Sequence, residues 1–257
     1  MIVRPLPDGI LCIRQLDHAA FSGELARAWG GATPALAPRA PVELAIARHD
    51  AGWAETDRDP AWNPATGLPH IYRTWPSAAA LEVAERSVAI VGAEDPYAGW
   101  LVSRHFASFH AGSEAPAARA WVTAQVGHRA ELLSRAWPRV GRELLHPHVL
   151  EANFDWLQLL DALSLALCEA WDSWESRETC AEYGERTTTF RYRRQGAADD
   201  PLRVEGRVEP WPFAHPEVRG TIPALRLPPG PWADGQSLSR AWRDAAPITV
   251  EMTLGRG

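Results

Sequence analysis

Lysine is absent from this 257-residue chain, so every one of its 26 basic side chains is an arginine. That absence excludes several chemistries at once. A phosphate-loop lysine, a pyridoxal Schiff base and a Ser-Lys dyad cannot occur, and neither GxxxxGK nor GxGxxG is found. A GC-rich genome accounts for the bias, and the exclusion holds whatever its cause. Cysteine is nearly as scarce. Cys12, Cys168 and Cys180 are too few and too far apart for a disulfide framework or a CxxC zinc site, and read as core thiols. No stretch reaches the ~18 apolar residues needed to span a bilayer, and Met1-Ile2-Val3-Arg4-Pro5 has no long apolar leader. The expectation is a cytoplasmic protein with no membrane partner. The net charge of -6 gives no reason to expect a nucleic-acid footprint.

With 46% apolar and 23% charged residues, the chain is globular and long enough for one substantial core. Residues 2–5 and 10–14 flank Pro7-Asp8-Gly9, good chemistry for a small hairpin. Asp17 can cap a helix whose inner face carries His18, Phe21, Ser22, Leu25 and Trp29, ending at Gly30-Gly31. Pro41 opens a second, with Val42, Ala45, Ile46 and His49 on one stripe. Residues 51–76 lack a long periodic pattern and read as a loop that covers a site, with Gly52 ending the preceding helix. Further helices are expected at 77–92, 95–111 (Asp95 as cap, Pro96 at the first position), 115–136 and 151–175. Residues 187–194, 202–208 and 248–254 look like antiparallel strands. The predicted fold is mainly α, all-alpha in its body, with a small antiparallel sheet formed by the C-terminal region and the N-terminal hairpin. Residues 1–184 form the helical metal-binding body and 185–257 a β-rich extension packed on it.

The candidate chemistry centres on His49-Asp50. Successive helical residues point ~100° apart, so the pair can hold one ion only if other helices close the shell. His18, His105 and Asp161 lie on apolar helix faces and supply the partners. Asp161 in particular needs one, because an unpaired buried charge is costly. His105 is preferred to His110, which lies five residues on and points away. Asp155 reads as a cap or surface group. Mixed imidazole and carboxylate donors suit one or two divalent ions of Mn, Fe, Ni or Zn. Arg14 and Arg104, with Arg48 and Arg73, are the candidates for neutralising a phosphate. Gln15, Trp53 and Tyr97 are the candidate substrate contacts.

The blocks Arg14-Gln15-x-x-His18-Ala19, His49-Asp50-x-Gly52-Trp53, Asp95-Pro96-Tyr97-Ala98-Gly99, Leu101-Val102-Ser103-x-His105-Phe106 and Leu160-Asp161-x-Leu163-Ser164-Leu165 resemble those of an uncharacterised bacterial family of unknown function. The order His18, His49-Asp50, Asp161 also resembles, more distantly, the HD superfamily of metal-dependent phosphohydrolases. That resemblance implies an HD-like helical bundle and hydrolysis of phosphate esters or nucleotides, with His18, His49, Asp50 and Asp161 on a metal and Asp50, Arg14 and Arg104 assisting. A small, phosphorylated molecule is then the expected partner, and a homodimer is left open. Two alternatives stand beside it: a di-metal oxygenase acting on a small molecule, and a non-catalytic helical binding or sensing module.

Overall fold

The structure is a computed structural model, and it describes residues 1–31, 33–184, 186–196 and 200–257. In chain order, strands β1 (Ile2–Leu6) and β2 (Gly9–Ile13) form the hairpin, followed by helices α1 (Gln15–Ala28) and α2 (Arg39–Arg48). A 3-10 turn (Ala51–Trp53) leads into α3 (Ala54–Arg58), the short ribbon β3 (Trp62–Asn63) and β4 (Leu68–Pro69), and a second 3-10 turn (Tyr72–Thr74). Then come α4 (Ser77–Glu94), α5 (Pro96–Phe109), α6 (Pro116–Val140) and α7 (Pro147–Cys168). The remainder is β5 (Ser173–Glu175), β6 (Thr179–Cys180), β7 (Thr187–Thr188), β8 (Arg191–Gln195), β9 (Arg203–Glu209), β10 (Glu217–Leu227), α8 (Gly235–Arg243) and β11 (Ala246–Arg256).

The expected mainly α, HD-like bundle with a small antiparallel sheet is overturned, and an all-alpha body with it. Half of the residues are helical, but 23% are in strands, most of them in one curled seven-stranded sheet ordered β1-β2-β10-β11-β9-β8-β5. The sheet is mixed, because β11 pairs in parallel with β9 and antiparallel with β10. One cause hid its extent. β10 contains Pro223, which demotes a segment to non-strand by composition; here Pro223 is in register with Thr249 while pairing to β2 is confined to Leu225–Leu227. The hairpin, already assigned to the sheet from sequence, joins it through β10, a strand outside the three expected segments.

Helices cover one face of this sheet. α1 lies against β10 and α7 against β9, and Leu25, Trp29, Leu157, Leu160, Val208 and Ile222 share one continuous core. Helix α8 packs elsewhere, where Leu238 and Trp242 meet Ile10, Cys12 and Leu227 in a second, smaller cluster. The three cysteines are buried free thiols, as expected. Strand β5 belongs to the sheet although it precedes residue 184, and residue 185 itself lies outside the described residues. Among the described residues no helix is long and apolar enough to cross a membrane.

Candidate metal centre

Four helices meet where the candidate donors sit. Helix α1 brings Gln15 and His18, the end of α2 brings His49 and Asp50, α5 brings His105 and α7 brings Asp161. The start of α1 is held by Asp57 of α3, whose carboxylate accepts the Leu16 backbone N–H at 2.9 Å. Asp17, the expected cap, is instead inside the first turn and holds the Arg14 guanidinium at 2.6 Å. Helix α2 ends at Arg48, and Asp50 has left helical geometry (φ -95°, ψ 18°). That bend turns two neighbours, which a continuous helix would splay apart, toward one point.

Gly52 follows from close approach, in place of the expected helix-ending role. Its N–H donates to Ser87 Oγ at 2.8 Å. A Cβ there would stand 2.2 Å from the Val83 carbonyl oxygen on α4. Only glycine lets the turn carrying Asp50 sit this close to that helix.

The donor atoms converge. One atom each from His18, His49 and Asp161 lies within 4.8 Å of the others, and all three residues are buried. Asp161 Oδ1 is 3.0 Å from His18 Nε2 and 3.4 Å from His49 Nε2. Asp50 Oδ2 flanks them at 3.9 Å from His18 Nε2 and 3.5 Å from His49 Nε2, and His105 Nε2 lies 3.7 Å from Asp161 Oδ2. Ligand bonds of ~2.0–2.2 Å place neighbouring donors ~3.0–3.5 Å apart, so the spacing suits a metal ion.

The tautomers sharpen this. The Ile46 carbonyl can only accept, so His49 Nδ1, 2.8 Å away, carries a proton. Ser164 Oγ donates to the His18 carbonyl at 3.0 Å and is 2.8 Å from His18 Nδ1, which must then be the donor in that contact. In the neutral rings both Nε2 atoms therefore present lone pairs to carboxylate oxygens. Such an arrangement repels unless a cation or a shared proton lies between. The triad His18, His49 and Asp161 could hold a metal ion, with Asp50 and His105 beside it.

Without a cation, a shared proton takes its place between ring and carboxylate, and the electrostatics describe that state. Burial alone would lower the His49 pKa, but Asp50 and a hydrogen bond to Asp161 overcome it and raise it to about 9. Burial pushes Asp161 up, and the hydrogen bonds from His18 and His49 more than reverse this, holding it well below the usual carboxylate range. Asp50 is raised by burial. His105 is driven down by burial to about 3, so its ring is neutral, and its Nδ1 has no partner among the described residues.

The donors form the floor of a cavity of about 440 Å³. Gln15 lines it and donates from Nε2 to Asp50 Oδ2 at 3.1 Å, whereas its buried Oε1 has no partner among the described residues. Trp53 lines it too, edge-on to Trp75. The other sequence candidates lie elsewhere. Arg14 is tied to Asp17 at the surface, and Arg104 is paired with Glu151 and lies over the Phe154 ring. Tyr97 is fully buried, its hydroxyl accepting from Asn153 Nδ2 at 2.7 Å, so it serves packing. Arg48 pairs with Glu94, which leaves Arg73 as the one arginine on the lining among the described residues. Asp155 is no surface group but a buried partner of Arg177 and of the Cys180 N–H.

Several lining residues escaped the sequence reading. Gln158 and Leu165 lie three residues before and four after Asp161, and Phe109 four after His105, a helical spacing that could have found them. Ser164 shared the Asp161 stripe, but its role toward His18 is tertiary. Tyr72 comes from a loop without pattern, the same loop that carries the candidate Arg73, and His110 reaches the cavity from the C-terminal end of α5.

The sequence profile of the family described as "Protein of unknown function (DUF3891)" matches residues 1–229, which include every donor above and all strands of the sheet except β11. No curated protein and no solved structure matches the chain. This chain belongs to that DUF3891 family, whose shared segment carries the complete His/Asp centre.

Proposed function

We propose that the protein is a metal-dependent hydrolase of small phosphate esters. The observation that carries this reading is the convergence of His18, His49 and Asp161 on one point at the floor of a cavity large enough for a small molecule. The ligand order also resembles that of HD phosphohydrolases, a resemblance confined to the sequence of donors and not extended to the fold.

His18, His49 and Asp161 would hold one divalent ion, with His105 beside them; such an ion would supply activation of a bound water and offset charge on the phosphate. Asp50 accepts a proton from the attacking water; Gln15 orients that carboxylate through Nε2 and receives a second water hydrogen at Oε1. A new O–P bond forms as the ester P–O bond breaks, and the proton held by Asp50 passes to the departing alkoxide. His105, neutral and enclosed, shapes the floor.

The test is the metal content of protein purified without added metal, together with hydrolysis of p-nitrophenyl phosphate esters. Wild type should carry close to one transition-metal ion per chain and hydrolyse at least one ester. His49→Ala and Asp161→Ala should lose both metal and hydrolysis while Trp53→Phe keeps the metal. Equal and negligible metal in all forms, even after incubation with Mn, Fe, Ni or Zn, would sink the proposal.

A further inference from the structure

We infer that the cavity selects a compact phosphodiester with an apolar, aromatic-sized substituent and a single negative charge, over phosphomonoesters and nucleoside polyphosphates; this rests on the hydrolytic reading of the same site. Two independent observations lead there, the wall and the charge.

The wall above the donors is built of Trp53, Phe106, Phe109, Leu165 and Ala162. Phe109 is 59% exposed, although large apolar side chains are normally covered, and its ring stands 4.6 Å edge-on to that of His105. An apolar group entering the cavity would cover it and gain the hydrophobic contribution of the whole wall. A sugar or a polyphosphate would leave these surfaces facing hydroxyls and charges.

The charge inventory is just as restrictive. Arg73, the one arginine among the described lining residues, is already bound to Glu169 at 2.7 Å, and Tyr72 donates to the same carboxylate at 2.7 Å. Its guanidinium is further bracketed by the rings of Tyr72 and Trp171. Arg73 and Glu169 therefore cancel. Asp50 and Asp161 contribute two negative charges, which one divalent ion balances. With His18 and His49 neutral as ligands to that ion, no surplus arginine charge remains among the described lining residues for a dianion or a triphosphate, and uncompensated charge in a largely apolar site is costly. A phosphodiester carries one negative charge and can present two organic substituents, the form that suits this lining.

Calorimetric titration with diphenyl phosphate, phenyl phosphate, inorganic phosphate and ATP, on the metal-loaded full chain, tests the inference. Diphenyl phosphate should bind roughly tenfold or more tightly than phenyl phosphate, and more tightly again than inorganic phosphate or ATP. Phe109→Ala, at a position 59% exposed, should weaken diphenyl phosphate several-fold and leave inorganic phosphate unchanged. Ala162→Leu, which fills the cavity from α7, should weaken it further. Phenyl phosphate or ATP binding as tightly as diphenyl phosphate would overturn the inference, as would Phe109→Ala without effect. Metal content of the same samples separates the two ideas: a reversed ranking with one ion bound defeats the selectivity alone. Protein that takes up no ion would defeat the hydrolase reading and, with it, the charge balance on which the selectivity depends.

Discussion

Ser164 shows how one small side chain can set the character of a site it does not line. Its hydroxyl proton goes to the His18 carbonyl, so the Oγ lone pair faces His18 Nδ1 and obliges that nitrogen to carry hydrogen. The lone pair is thereby delivered to Nε2, on the side of Asp161. Outer partners of this kind are worth ~10–100-fold in metal affinity. Ser164→Ala should lower metal affinity by about that factor, read by competition with a chromophoric chelator. An unchanged affinity would mean that packing alone orients the ring. Ile46 does the same for His49 with a backbone carbonyl, which no side-chain substitution removes.

At the scale of elements, the position of α1 depends on a residue far from it in sequence. Asp17 looks like its cap and is not; Asp57, buried on α3, receives the Leu16 N–H. Asp57→Ala should therefore cost ~1–2 kcal/mol, in the range of lost caps, whereas Asp17→Ala removes an Arg14 pair at the surface and should cost less than ~0.5 kcal/mol. Denaturant unfolding of the two variants checks the order. Equal losses would show that α1 is held by packing and not by its cap. The sequence showed a helix with His18 facing inward, because periodicity is local, but it set the start at Asp17 where the structure begins the helix at Gln15. Which acidic residue closes its first turn was not legible, since Asp17 and Asp57 are both plausible acceptors until the chain brings α3 to the start of α1.

The whole molecule joins its ends through the sheet and its middle through the donors. Because the donor set draws on α1, α2, α5 and α7, an ion bound there favours the folded chain by mass action, ~2.7 kcal/mol at a hundredfold excess over its dissociation constant. Chelation should lower the Tm of wild-type protein by several degrees, for ~2–4 °C accompanies each kcal/mol in a chain near this size. His49→Ala and Asp161→Ala should melt at the same temperature with and without chelator. A chelator-insensitive wild type would count against a resident ion.

Composition alone determined the excluded chemistries, because no arrangement of this chain supplies a lysine. The helical stripes carrying His18, His49, His105 and Asp161 were also readable, since side-chain direction along a helix follows from residue spacing. The tertiary structure decided the rest. It chose Arg73 over Arg14 and Arg104 for the lining, gave Tyr97 to the core, and turned a supposed minor sheet into seven strands with a parallel pair at its centre. Strand pairing and donor convergence both join residues far apart in the chain, and such contacts depend on how elements dock, which no local pattern records.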